Sequence, residues 1–457
     1  MKKVLAFTMA ACMACGMFAG CGAASSTASS VSSEAASTEA ASTADAAAST
    51  AAAPEEKTGP VSLSVSWWGG DSRHEATQNA LNAYTAANPD VTIKTSYGAW
   101  TGWEDKMSTA LYAGTAEDLI QVNWNWIYNY DNSGKTFVDL NTLSDYIDLT
   151  QFDQAALDQC TVDGKLSCLP VAMTGRVFYW NESSFEKAGI SVPKSYDDLI
   201  AAGAAFKEKL GDDSYPLVLG ELDRTIFMVW ALECKYGKDW VVDGQLNYSQ
   251  EEIEEGLQML LDLEAAHAIP SIQTIAGDGA ESLDKNPKWM DGRYAGIFEW
   301  DSSAKKFSSA LNEGQSFVVG DYLTGVGDNK GGFTKVSLGF SITQSCADPV
   351  AAAKVLNYLL NEPEGAKLMA SERGIPLSKA GLAACKEDNL LDSITAEANE
   401  KALANCTCAL DPTFEDAKLK ASDGVYYDVM AGLSYGDYDV ATAAETLIDG
   451  ITTVLAG

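Results

Sequence analysis

Histidine is almost absent from this chain: 457 residues hold two, His74 and His267. Chemistry that depends on imidazole therefore has little to work with. A Ser-His-Asp hydrolase would have to use one of these two, the first inside a helix-patterned segment and the second near a helix end. A structural zinc site is disfavoured as well, because Cys406-x-Cys408 lacks the two-residue spacing of a zinc knuckle and imidazole ligands are so few. No metal and no cofactor are expected. Positive charge is also scarce, with 31 Lys and Arg against 64 Asp and Glu and a net charge of -33. Such a field repels phosphate backbones and anionic lipid, which excludes DNA, RNA and polybasic membrane roles. From Gly22 to about Pro60 aromatic residues are missing and aliphatic ones nearly so, leaving Ala, Ser, Thr and a few acids. That stretch has nothing to drive collapse and is expected to be a tether, with a reach of roughly 35 Å as a flexible coil.

The rest of the chain is well supplied. Hydrophobic residues make up 46%, with 11 Trp, 18 Tyr and 14 Phe, enough to bury more than one core and to predict two lobes. At the start, Lys2 and Lys3 precede the apolar run Val4 to Gly20, which closes on small residues as a secretory signal does. Ala19-Gly20-Cys21 resembles the end of a bacterial lipobox, with Phe18 where Leu is usual. The expectation is removal of residues 1–20 and acylation of Cys21, a palmitate-type lipid anchor on the outer face of the cytoplasmic membrane; simple cleavage to a free secreted protein is the alternative. Of the 10 cysteines, those at 160, 168, 234, 346, 385, 406 and 408 form an odd set, so at least one must be unpaired.

Val61, Leu63 and Val65 alternate with serines as a strand does, and Trp67-Trp68-Gly69-Gly70 follows. Ser72-x-x-Glu75 has the form of a capping box, opening a helix through Ala76, Ala80 and Tyr84 that stops at Asn88-Pro89. A strand at Val91, Ile93 and Thr95, an apolar helical stripe of Trp103, Met107, Ala110 and Leu111, and a buried strand Leu119 to Val122 complete a β-α-β-α-β unit. Such units build a parallel sheet flanked by helices, with ligands beyond the carboxyl ends of the strands. Farther on, Ser195-x-x-Asp198 and Ser249-x-x-Glu252 open helices, and Asp348-Pro349 opens another.

Several segments taken together are similar to the extracellular solute-binding proteins of ABC sugar importers, the group that includes maltose-binding protein. They are Asn88-Pro89-Asp90-Val91, Ala113 to Asp118, Leu169-Pro170 leading to Phe178-Tyr179-Trp180-Asn181, Phe185 to Ile190, Asp291 to Gly296, and Glu372-Arg373-Gly374-Ile375-Pro376. The chain departs from the family at Glu117, where Pro is usual, at Trp180, usually Tyr, and at Gly296, commonly Met. The resemblance implies a two-lobed periplasmic-binding-protein-like α/β fold, each lobe a mostly parallel sheet flanked by helices, with the ligand cleft between. It further implies discontinuous lobes: 61–172 and 338–400 in the first, 173–337 and 401–457 in the second. The function implied is capture of a sugar or oligosaccharide by hinge closure and delivery to the permease subunits of an ABC importer, by a monomer without catalytic activity.

A sugar offers an apolar C–H face and a rim of hydroxyls, so its site needs flat aromatic surfaces and planar polar groups. Adjacent extended residues point to opposite sides, so of Trp67 and Trp68 only one reaches a cleft, and Trp68 is favoured. Trp100 lies in the loop after the second strand. By the same parity Asn123 and Asn125 share one face, and Trp124 and Trp126 the other, unless a turn follows Val122. Arg176 sits at an expected lobe crossing. Glu221 and Asp223 follow the apolar run Leu217 to Leu219, and Glu299, Trp300 and Asp301 follow another; Trp300 is the favoured stacking residue. Two other readings stay open: a binder of peptides or another polar solute on the same scaffold, and an extracellular glycoside hydrolase with two catalytic carboxylates.

Overall fold

The structure, a computed structural model, describes residues 56–457 apart from 101, 132, 133 and 281. Its first body begins with β1 (Val61–Trp68), α1 (Asp71–Ala87), β2 (Val91–Gly98), α2 (Trp103–Tyr112), β3 (Leu119–Asn123) and the short α3 (Trp126–Tyr130). β1 pairs in parallel with β2, Val61 opposite Val91, and with β3, Val65 opposite Leu119. The expected β-α-β-α-β unit is therefore present. Its first helix starts differently from expectation: the N-cap is Gly70, with no side-chain cap. Ser72 instead donates its hydroxyl to Glu372, so a tertiary partner three hundred positions away displaces the local capping box.

Four further strands complete the main sheet: β4 (Leu169–Asn181), β5 (Gly296–Trp300), β6 (Phe317–Val319) and β7 (Thr334–Ile342). The order is β6-β4-β7-β3-β1-β2, with β5 also paired to β4. β7 runs antiparallel to both β3 and β4, and β5 and β6 run antiparallel to β4. Parallel pairing is thus concentrated in β1 to β3. β4 is long and buried along nearly its whole length, because it serves two cores. Leu169 and Val171 join a cluster with Val65, Trp67, Ile120, Phe340 and Leu356. Phe178 and Trp180 join a second cluster with Phe206, Phe227, Trp230, Leu257 and Leu447. Each large side chain fully withdrawn from water there contributes about 1.5–3 kcal/mol. Among the described residues no helix is long and apolar enough to cross a membrane.

Two of the departures from the family pattern meet in space. Trp180 and Gly296 are cross-strand partners in the β4–β5 pair, and a Cβ at Gly296 would collide with the Trp180 ring. A larger aromatic on one strand requires no side chain on the other, so the two changes compensate.

The helices that complete the second body start as the sequence predicts. α4 (Tyr196–Leu210) carries the Ser195–Asp198 capping box. α5 (Glu221–Tyr236) follows Gly220, and α6 (Gln250–Ala265) carries the Ser249–Glu252 box. In the first body α7 (Pro349–Asn361) is capped by Asp348, which accepts from the Ala351 N–H. The apolar run Leu217 to Leu219 forms no strand and makes one isolated bridge, Val218 to Ile297.

Candidate functional site

At the carboxyl ends of β1 to β3 three indoles meet. Trp68 lies 5.1 Å from Trp100 and 5.4 Å from Trp126, and Trp100 stacks on Trp126 at 6.1 Å. On β1 the two tryptophans have different neighbours: the Trp67 indole N–H meets His74 at 3.1 Å, and Trp68, also buried, packs against Trp100 and Trp126. Trp100 is 45% exposed and is the surface of this group. Trp126 is fully buried beneath it, with Nε1 donating to Glu104 Oε1 at 2.8 Å. It supports the platform rather than presenting a face of its own.

Alternation does not continue past Asn123, where β3 ends and the chain turns into α3. Trp124 is therefore corrected from ligand candidate to core residue: it is buried, donates Nε1 to Gln159 O at 2.7 Å, and packs edge-on against Tyr128. Asn123 is half-buried, and its side chain accepts from the Trp124 N–H. Asn125 is buried and donates to the main-chain oxygen of Glu415 at 3.2 Å.

The second group centres on Trp300 at the end of β5. The Arg176 guanidinium on β4 and the Lys335 ammonium on β7 each lie 4.9 Å from the Trp300 ring centre. Arg176 Nη1 bonds Asp223 at 2.5 Å and Phe298 O at 2.6 Å, and Nη2 lies 3.8 Å from Glu299. Burial disfavours the Arg176 charge, but Glu299 and Asp223 outweigh it and hold the group above its ordinary pKa. Glu299 is raised, burial being the larger cause and Arg176 opposing it. Asp223 also receives the Gly220 N–H at the start of α5, where Glu221 occupies the first turn. Tyr427 stands close enough to feel Glu221 and Asp223, which add to burial in raising its hydroxyl pKa.

Glu415 joins the two groups. Its carboxylate pairs with buried Lys335 and, at 3.3 Å, with Lys420. Burial alone would raise the Glu415 pKa, yet the two ammonium groups outweigh it and hold it at about 2. Lys335 is pulled down to about 8 by burial, against the attraction of Glu415 and aided by repulsion from Lys420. Lys420 also acts on Glu104, whose pKa burial raises. Lys335, a charge set among Val336, Leu338 and Phe340, was readable as an anomaly in an apolar strand; Glu104, Glu415, Lys420 and Tyr427 carried no local signal.

Asp301 is the second correction. Buried behind β4, it accepts from Thr174, from Asn399 at 2.5 Å and from the Ser302 N–H at 2.6 Å. Burial pushes its pKa up to about 6 against those bonds. It ties strand to helix and is 1% exposed. Cys21 lies outside the described residues. The seven described cysteines are free thiols, Cys160 and Cys168 approaching to 3.8 Å, and no group of metal-ligating side chains occurs among the described residues. The chain does contain one Gly-x-Ser-x-Gly spacing, Gly432 to Gly436, but it falls within and at the end of the helix Val425–Tyr435 rather than at a strand-to-helix turn. Ser434 there donates to Glu264 at 2.6 Å and receives the Ile272 N–H.

A family model described as bacterial extracellular solute-binding protein matches residues 79–393. Among solved structures, the chain is similar to a periplasmic oligogalacturonide binding protein from Yersinia enterocolitica, in complex with saturated digalacturonic acid. The two are 31% identical with a TM-score of 0.81, over 87% of this chain and 99% of that one. A periplasmic solute binding protein from Pectobacterium atrosepticum is 30% identical with a TM-score of 0.82, over the same shares of 87% and 99%. A binding protein of Brucella abortus is 26% identical over 317 residues, 66% of this chain and 72% of that protein.

Proposed function

Because the chain belongs to the bacterial extracellular solute-binding proteins, we propose that it captures a carbohydrate outside the cytoplasmic membrane and delivers it to the permease subunits of an ABC importer. The observation that carries this reading is the pairing of an exposed indole platform with a polar cluster. Trp100, backed by Trp68 and Trp126, offers a flat apolar surface, and Arg176, Asp223, Glu299 and Trp300 offer planar hydrogen-bonding groups and a second ring. That combination suits a sugar's C–H face and hydroxyl rim. The similarity to an oligogalacturonide binding protein points the same way.

The lobes in this reading are 61–172 with 338–400, and 173–337 with 401–457. β4 and β7 would act as the hinge strands, and a ligand held from both sides favours the closed form by its differential affinity. Signal removal at residues 1–20 and acylation of Cys21 would keep a monomer at the membrane, close to its importer. Catalysis has no role here: the protein binds and releases its ligand unchanged.

A thermal-shift screen of glycans and peptides tests the reading, since a ligand at a hundred times its dissociation constant adds about 2.7 kcal/mol of stability. Stabilisation by peptides and by no glycan would overturn the carbohydrate assignment, and release of products on prolonged incubation would overturn the non-enzymatic one. An unchanged radius of gyration on saturation, in a protein that starts open, would overturn hinge closure. Cys21→Ala should move the protein from the detergent phase to the aqueous phase; native protein found wholly in the aqueous phase would remove the anchor.

A further inference from the structure

Buried polar atoms are normally partnered, and those that are not call for an explanation. Two acceptors without a partner belong to residues of the candidate site that touch through the Glu415 main chain: Asn125 Oδ1 and Glu415 Oε2. Each residue is 4% exposed. Asn125 comes from the turn after β3, in the first body, and Glu415 from the 3-10 turn Pro412–Glu415, whose Phe414 packs into the core of the second. The Asn125 amide nitrogen is engaged with the Glu415 main-chain oxygen. The Glu415 Oε1 atom takes both Lys335 and Lys420. The side-chain atom left without a partner on each residue is an oxygen that can accept.

We infer that Asn125 and Glu415 form a polar subsite that accepts hydrogen bonds from hydroxyls of the bound carbohydrate, one oxygen coming from each body. The inference rests on the carbohydrate reading above. Hydroxyls satisfy the pair because each donates one hydrogen bond. A uronate carboxylate does not, since it offers only acceptors and meets the charge of Glu415. With Glu415 held at about 2 by the two lysines, the subsite remains an acceptor wherever the protein is folded near neutral pH. Because the two oxygens belong to different bodies, a carbohydrate whose hydroxyls bond both joins them, which gives closure a specific contact.

The experiment uses the full-length protein and measures affinity calorimetrically for maltotriose, cellotriose, xylotriose, digalacturonic acid and trialanine; the glycan that binds most tightly becomes the probe. Asn125→Leu removes the free acceptor at nearly constant volume. It should weaken the probe at least ~10-fold in a ligand-free protein that still folds, the gain from removing an unsatisfied buried acceptor offsetting the lost bond to the Glu415 main chain. If Asn125→Leu does not fold, Asn125→Ser is read in the same way. Monodeoxy derivatives of the probe identify the partner: one of them should lose affinity for the native protein and lose nothing more on the variant. A folded variant that binds with native affinity, or losses that add for every deoxy derivative, overturns the subsite and leaves the carbohydrate reading standing. Failure of every glycan to bind the native protein overturns both.

Discussion

The tryptophan group and the Arg176–Trp300 group of the candidate site are built in opposite ways. In the first, three indoles touch each other at 5.1 to 6.1 Å and a single acid, Glu104, takes the one indole bond described. In the second, three cations and three carboxylates surround one indole. Stacked rings give a surface that tolerates many sugars, because every pyranose has an apolar face. Buried charges hold fixed directions and must stay paired, so that side is where selectivity and sensitivity to mutation and pH should concentrate.

The sharpest way to break this contrast is Arg176→Ala. It leaves Asp223 and Glu299 without their cation in a partly buried setting, and should cost about 3–5 kcal/mol of stability in urea unfolding. A loss under about 1 kcal/mol would mean that the carboxylates relax to solvent and that the charged group is not rigid.

The second test concerns pH. On α5, Glu233 is buried with its Oε2 receiving the Gly332 N–H and its Oε1 unpartnered. Burial raises its pKa from 4.5 to about 8. The folded state thus holds a proton that the unfolded state has released. Its stabilising contribution is full below the unfolded value and declines by roughly 1.4 kcal/mol per pH unit as pH rises toward the folded one. Glu233→Gln should therefore gain little over the native protein at about pH 5 and markedly more at about pH 8. Equal gains at both would show that the carboxyl titrates normally.

Smaller effects separate the two rings. Trp300→Ala should weaken ligand binding by at least ~1 kcal/mol, the scale of one aromatic contact, and native affinity in a folded variant would remove it from the site. Trp100→Ala should weaken binding by a similar ~1 kcal/mol and, being 45% exposed, change the stability of the ligand-free protein by only about 0.5 kcal/mol. A larger loss of stability would make Trp100 a packing residue and undo the distinction between platform and support.

Much of both bodies was legible because the signals are local. Alternation gave β1 and β2, helical spacing gave α1 and α2, and serine boxes marked the starts of α4 and α6. Parity put Trp67 and Trp68 on different neighbours, His74 for the first and Trp100 with Trp126 for the second. It failed at Trp124 because the chain stops being extended at Asn123, and Asn-Trp-Asn-Trp does not announce a turn. Ser72 failed as a cap for another reason: Glu372, remote in sequence, offers its hydroxyl a better partner than the helix does. Asp301 resembles any acid after a strand until the fold closes Thr174 and Asn399 over it.

By itself the sequence determined the acidic, nearly histidine-free character of the protein, its α/β pattern and its family, since these depend on composition, short-range periodicity and ordered short motifs. The tertiary structure alone decided which tryptophan faces outward, that Trp180 and Gly296 compensate each other across β4 and β5, and that Glu415 takes Lys335 and Lys420 and meets Asn125. The physical reason is range. Local pattern fixes which face of an element is apolar. Burial and charge pairing depend on neighbours brought together from hundreds of residues apart, and those neighbours exist only once β4 and β7 have joined the two cores.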